Sequence, residues 1–100
     1  MRFHANTTNV GTSSAALSAA TGAPDSNSRV LWIKVSARNG NGNVVYFGHS
    51  AVASTLGYEL SANDSLELSF RDQGGSVALS EFYALGGASS QNLDWAVILE

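Results

Sequence analysis

Residues 28–48 constrain the fold most, because two strand-like stretches there flank a turn. In the first stretch Leu31, Ile33 and Val35 fall on one face, with polar or amphipathic residues between them, which is the period of a half-buried strand. The sequence RNGNG follows, and Asn-Gly pairs accept the positive φ angles of tight hairpin turns. The second stretch, VVYFG, is rich in β-branched and aromatic residues. The pattern predicts an antiparallel hairpin at the centre of an all-β domain.

Further strand-like segments follow turn residues along the rest of the chain. The clearest is 65–70, which alternates polar and apolar residues, and the segment 92–99 places its apolar residues on one face and is predicted to be central in a sheet. Strands are also predicted over 58–60 and 77–85, with a short one over 15–18. About six or seven strands without a convincing helix predict a single-domain antiparallel β-sandwich or small jelly-roll.

The length of 100 residues allows one domain with one hydrophobic core. We divide it into residues 1–12, read as an N-terminal arm or first strand, and residues 13–100, read as the β-sandwich domain. The connection 49–57 lacks a sustained period and is expected to hold a buried anchor at Val52.

Composition excludes several classes of function. Charged residues make up 13% of the chain and the net charge is −3, whereas soluble domains average ~25% charged residues. The basic residues are scattered, so no phosphate-binding stripe forms and nucleic acid is not expected as a partner. We expect no membrane span and no cleaved signal peptide, because no apolar run or leader pattern is present. A weakly charged surface favours stable packing against neighbouring proteins.

The sequence contains no recognisable catalytic or cofactor motif, and we predict a non-enzymatic protein without cofactors. Cysteine is absent, and His4 and His49 lack the short-spaced ligands of a zinc site. No G-x-S-x-G elbow occurs. One alternative stays open: two carboxylates that are distant in sequence could meet in the fold as a glycosidase-like pair. Its candidates are Glu59, Asp64, Glu67, Asp72, Glu81 and Asp94.

Aromatic residues are the remaining candidates for binding. Trp95 shares the apolar parity of the last strand and is predicted to be buried, whereas Trp32 shares its face with Lys34. An exposed Trp32 beside Tyr46 suits either a subunit interface or stacking against a sugar ring. A core position for Trp32 also stays open.

The order of short motifs along the chain resembles that of small virion proteins of tailed bacteriophages. These proteins include capsid decoration, cement and head-fibre domains with a β-sandwich or jelly-roll fold, and the resemblance covers most of residues 10–100. The motifs are VGT at 10–12, VYFG at 45–48, GYEL at 57–60, DSLEL at 64–68, FYAL at 82–85 and AVILE at 96–100.

This resemblance implies a decoration or cement protein that binds the outer surface of an icosahedral head and stabilises it. The implied partner is the major capsid protein, and the implied state is a homo-oligomer, with a trimer favoured. The location would be the outer capsid surface of the virion, after assembly in the cytoplasm of the bacterial host. The residues expected at the capsid or subunit interface are Arg2, Phe3, His4, Trp32 and Tyr46.

Two other functions stay open. One is a receptor- or glycan-binding module of a phage fibre or tail, with Trp32, Tyr46 and Tyr58 as stacking residues. The other is a small β-fold hydrolase, which would need a shared cleft of carboxylates.

Overall fold

The computed structural model describes residues 1–71 and 74–100, and within these ranges nine β-strands form two antiparallel sheets that pack as a sandwich. The predicted all-β fold class is confirmed. Single turns of 3-10 helix lie at Leu17–Ala19 and Leu79–Glu81. The strands are β1 (Arg2–Val10), β2 (Ala15–Ala16), β3 (Arg29–Ala37), β4 (Val45–Gly48), β5 (Tyr58–Leu60), β6 (Ser65–Ser69), β7 (Val77–Ala78), β8 (Tyr83–Gly86) and β9 (Gln91–Leu99).

The first half of the chain pairs with the second half in nested order. Strand β1 pairs with β9, β2 with β8, β3 with β6 and β7, and β4 with β5. The resulting ribbon is wound into sheet I, in the order β1-β9-β3-β6 with β7 beside β3, and sheet II, in the order β2-β8-β4-β5. Two facing antiparallel sheets are the β-sandwich architecture.

Strand β9 is the central strand of sheet I, as predicted. It pairs with β1 on one side and with β3 on the other. Its residues alternate strictly between buried and half-buried, and Leu93, Trp95, Val97 and Leu99 all point into the core. The buried Trp95 indole N–H donates to Thr8 Oγ1 at 2.9 Å, so the largest core side chain also joins β9 to β1.

The inner faces of both sheets and the two 3-10 turns supply the core. Sheet II contributes Val45, Phe47 and Ala84, and Leu17 and Leu79 close the layer from the 3-10 turns. Val52 is buried in the connection between β4 and β5, as predicted.

The predicted central hairpin is wrong, because β3 and β4 lie in different sheets. The predicted turn does form: the Asn41 N–H donates to the Arg38 carbonyl at 3.2 Å, and Gly40 has φ +100°. The Asn41 side chain then binds both the N–H and the carbonyl of Asn92 at 2.9 Å. This amide ties the connection between β3 in sheet I and β4 in sheet II to the start of β9.

The predicted facing of β3 is corrected by a bulge. The register with β9 shifts between Val30 and Trp32, so Leu31 is the extra residue. An extra residue reverses the alternation on one side of a bulge. Val30 therefore shares the core with Ile33 and Val35, whereas Leu31 is only half-buried.

Two other predicted strands are broken. The segment 77–85 divides into β7 in sheet I and β8 in sheet II, joined by a 3-10 turn whose Leu79 is fully buried. The predicted strand over 15–18 ends at Ala16, where a 3-10 turn begins.

The N-terminal segment forms a strand over nine residues and pairs with β9 along its whole length.

Replacement of Asn41 by Ala should lower the free energy of unfolding by about 1–3 kcal/mol, because it leaves the backbone N–H of Asn92 without its partner and removes one of the two donors to the Asn92 carbonyl, which keeps the Arg38 N–H. Urea denaturation measures the change. The matched control is Asn39→Ala, since exposed Asn39 accepts only one long hydrogen bond, at 3.3 Å from Asn63. An equal effect of both substitutions would contradict the role given to Asn41.

Candidate docking surface

The outer face of sheet I carries a row of large apolar side chains. Phe3 lies opposite Ile98, and Ile98 lies opposite Trp32 on its other side. We call these three residues the apolar row. Phe3 is 68% exposed, whereas Ile98 and Trp32 are half-buried. Because β9 is paired on both sides, the row crosses three neighbouring strands at one level.

Two residues along these strands from the apolar row, the same face carries two alanine side chains, which we call the alanine level. Ala5 lies opposite Ala96, and Ala96 lies opposite Lys34. A shallow depression of about 440 Å³ covers this level and reaches Thr7 and Asp94. The alanine side chains are short, so a partner can approach the sheet closely over β1 and β9, with Lys34 on β3 at the side.

Trp32 is fixed in orientation by a charged neighbour. Its indole N–H donates to Glu67 Oε2 at 2.6 Å, across the pair formed by β3 and β6. Hydrogen bonds to ionised acceptors are stronger than neutral ones. Association costs free energy when it orders side chains. The hydrogen bond to Glu67 reduces this cost for Trp32, because the indole is already held in one orientation.

A polar network closes the opposite end of the face. Arg38 donates to both oxygens of Asp94, at 2.6 Å and 3.2 Å, and Thr7 donates to the same carboxylate at 2.6 Å. The hydrogen bond from Arg38 lowers the pKa of Asp94. Burial raises this pKa, and the hydrogen bond from Thr7 lowers it. The Asp94 carboxylate raises the pKa of Arg38 in return. Asp94 is therefore held ionised as an acceptor, which is the wrong form for a general acid.

The structure brings together two of the five predicted interface residues. Phe3 and Trp32 share the apolar row, whereas Arg2 and His4 occupy the other parity of β1. The His4 ring lies 5.7 Å from the Trp95 ring, and its Nε2 lies 3.3 Å from the Asn6 amide. Tyr46 belongs to sheet II.

The expected neighbourhood of Trp32 and Tyr46 is wrong. Val45 and Phe47 point into the core from β4, so the half-buried Tyr46 points away from it, on the outer face of sheet II. Tyr58 shares the core parity of buried Leu60 but is 52% exposed, because β5 is an edge strand. The three candidates for stacking on sugar rings therefore lie on three separate surfaces.

Ile98 is the residue of the apolar row that sequence analysis missed. The alternation in 92–99 placed its neighbours in the core and thereby placed Ile98 outward. The missing information was the register, because only the pairing with β1 and β3 brings Ile98 between Phe3 and Trp32.

Three of the candidate carboxylates are engaged in separate hydrogen bonds. Asp64 accepts from the Ser61 N–H at 3.0 Å, Glu67 accepts from Trp32, and Asp94 binds Arg38. Asp72 lies outside the described residues. Over 1–71 and 74–100, no group of three or more His, Cys, Asp or Glu residues is placed to hold a metal ion.

Comparisons of the chain with protein-family models, curated proteins and solved structures find no match. Within the residues described, no helix is long and apolar enough to cross a membrane. The function is therefore inferred from the surface chemistry of the sheets and from the resemblance of the sequence motifs.

Replacement of Asp94 by Asn should cause a small loss of stability at neutral pH that disappears in acid. A carboxylate whose pKa is lowered in the folded state stabilises that state above its unfolded pKa of ~3.9. This contribution is lost as the pH falls through the lower folded pKa of Asp94. The loss is small because the Arg38 and Asp94 side chains are 48% and 40% exposed.

Thermal unfolding of both proteins between about pH 2 and pH 7 measures this difference. The control is Glu100→Gln, which removes an exposed carboxylate without an ion pair in the described part of the chain. A gap between wild type and Asp94→Asn that widens in acid would contradict the expected sign.

Proposed function

We propose that the chain is a non-enzymatic structural protein of a tailed-phage virion, and that it decorates the outer surface of the capsid. The observation that supports this best is the apolar row beside the low alanine level on the outer face of sheet I. Docking would centre on Trp32 and Ile98, with Ala96 beneath the partner and Lys34 at the side. The phage assignment itself rests on the resemblance of the sequence motifs.

The chemistry of this face suits a protein partner. Interface cores are enriched in aromatic residues and depleted in charge, and a few such residues carry most of the binding energy. Trp32 is an aromatic residue with a fixed orientation, and its neighbour Ile98 adds apolar area. Lys34 has no ion pair within residues 1–71 and 74–100, so it is available to an acidic group on the capsid.

One side of a single copy is large enough for one standard interface and no more. The molecule extends 36 × 26 × 22 Å, so one side covers roughly the ~800 Å² per partner of a standard interface. Repeated copies on a symmetric shell would add their contacts, and linked copies would gain from multivalency. Because such a protein binds only the assembled shell, it would stabilise that state by mass action. We include the homo-oligomeric state, with a trimer favoured by the resemblance, in this proposal.

The second candidate function is glycan binding by a fibre or tail module. The observation in its favour is the Trp32–Glu67 pair, since an aromatic face beside a carboxylate acceptor suits a sugar ring with its hydroxyl groups. Tyr46 and Tyr58 would not assist Trp32, because neither lies on this face.

Purified protein should co-sediment saturably with mature phage heads that lack it and raise their resistance to heat. Replacement of Trp32 by Ala should weaken binding at least ~tenfold, as loss of a hot-spot aromatic does. Tyr46→Ala is the matched control on sheet II and should bind like the wild type. Absence of binding by folded wild-type protein, or equal losses in both variants, would contradict the proposal, and binding to a glycan array alone would favour the second candidate.

A further inference from the structure

Strand β1 is an edge strand, because it pairs with β9 on one side only. The hydrogen bond from the Arg38 N–H to the Asn92 carbonyl shows that the even-numbered residues of β9 direct their backbone groups to β3. The odd-numbered residues of β9 therefore bond to β1, where they lie opposite even-numbered residues. It follows that the odd-numbered residues of β1, from Phe3 to Asn9, direct their backbone N–H and C=O groups to the free edge.

This edge lacks the features that usually protect an edge strand. Proteins protect exposed edges with charged side chains, prolines, bulges or very short strands. Residues 3–10 include no Asp, Glu, Lys, Arg or Pro, and the register with β9 runs without a shift. By contrast, the edge strands β5 and β6 carry Glu59 and Glu67, and β2 and β7 have two residues each. Strand β1 is therefore the edge best suited to pair with a further strand.

Only the first part of this edge is free to pair. The Asn6 side-chain amide donates to the Thr21 carbonyl at 3.1 Å, and the Thr7 N–H donates to Asn6 Oδ1 at 2.7 Å. The Thr7 N–H is one of the outward groups, so the Asn6 side chain and Thr21 already occupy the edge from residue 6 onward. Among the described residues, none bonds to the outward groups of Phe3 or Ala5. We call residues 1–5 the open edge.

The open edge also carries the most exposed large apolar side chains of the described chain. Met1 is 73% exposed and Phe3 is 68% exposed. Phe3 is at the same time the end of the apolar row, beside Ile98. A strand that paired with the open edge would satisfy the outward backbone groups and remove apolar surface from water, and both changes favour association.

We propose that the open edge pairs, antiparallel, with the open edge of a second copy of this chain, with Phe3 opposite Phe3 on a twofold axis. The N–H and C=O of each Phe3 bond to those of the other, and the Ala5 N–H of each copy donates to the Met1 carbonyl of its partner. A second copy is the occupant that the surface itself defines, since the same unpaired groups and the same exposed side chains then meet.

Charge and the covered part of β1 decide the register. Outward residues must lie opposite one another, so the register can change only in steps of two residues. One such step would place Arg2 directly opposite Arg2, and like charges in that position are destabilising. The opposite step would need the Thr7 N–H, which is already bonded to Asn6. In the proposed register Arg2 lies opposite His4, and Phe3 is at the centre.

The pair extends sheet I across both copies. The twofold axis of two antiparallel strands is perpendicular to their sheet, so both copies turn the outer face of sheet I to the same side. Because Phe3, Ile98 and Trp32 lie at one level, the apolar row of one copy continues through the two Phe3 side chains into the row of the other. The contact is isologous and closes at two copies, whereas the trimer of the proposed function comes from the sequence resemblance.

Replacement of Ala5 by Pro tests the strand pairing. Ala5 directs its N–H outward, so proline removes a donor of the contact without breaking the bonds between β1 and β9. A short edge contact belongs to the weak class of interfaces, so light scattering at ~100 μM should show two chains for the wild type. It should show one chain for Ala5→Pro. The matched control is Asn9→Pro, an outward position in the covered part of β1, which should keep the mass of two chains.

Replacement of Phe3 by Ala tests the apolar part of the contact and should raise the self-dissociation constant at least ~tenfold. Tyr58→Ala is the control, since Tyr58 is a 52% exposed aromatic residue on another surface, and it should keep the wild-type constant. Circular dichroism confirms that each variant is folded.

Three results would overturn this inference: a wild type with the mass of one chain, a wild type with the mass of three, or equal masses for Ala5→Pro and Asn9→Pro. The inference does not depend on the capsid partner, because it concerns only the self-association of the chain. Protein that keeps the mass of two chains but fails to bind heads would contradict the docking proposal alone.

Discussion

The pairing of β9 between β1 and β3 is the constraint on which the rest of the structure depends. This strand comes last in sequence but lies in the middle of sheet I. Its inward side chains form the centre of the core, and the Trp95 to Thr8 hydrogen bond joins it to β1 inside that core. Its outward side chains fix the levels of the outer face, since Phe3, Ile98 and Trp32 are aligned only through β9. Folding must therefore bring together segments far apart in sequence, at a cost in loop closure.

The two faces and the two edges of sheet I differ in chemistry. The outer face is apolar at one end and has a compact charge network at the other, where Asp94 joins Thr7 and Arg38. Charged groups that bind one another are typical of the rim of a protein interface, whereas an aromatic residue of fixed orientation, such as Trp32, is typical of its centre. The edges also carry exposed apolar groups: Phe3 on β1, which is the end of the apolar row, and an apolar groove beside β6.

Sequence reasoning recovered what depends on local periodicity. The strict alternation of 92–99 and 65–70 predicted β9, its buried Trp95, and β6. The turn at 38–42 was also predicted, but turn chemistry indicates a reversal of the chain and not the sheet that it enters. The sheet is decided by the pairing of distant segments, β3 with β9 and β4 with β8, and the hydrogen bonds between Asn41 and Asn92 likewise join residues too far apart in sequence for a local pattern to reveal. For the same reason the bulge at Leu31, the break at Leu79 and the alignment of Ile98 with Trp32 were missed.

The orientation of the protein on a phage head tests the central claim most directly. A cryo-electron-microscopy reconstruction of heads carrying bound protein would resolve which face of the sandwich meets the shell. The account predicts that the outer face of sheet I, with Trp32 and Ile98, lies against the capsid while Tyr46 on sheet II points to solvent. Density with sheet II against the shell, or density for the protein only on the tail, would contradict it.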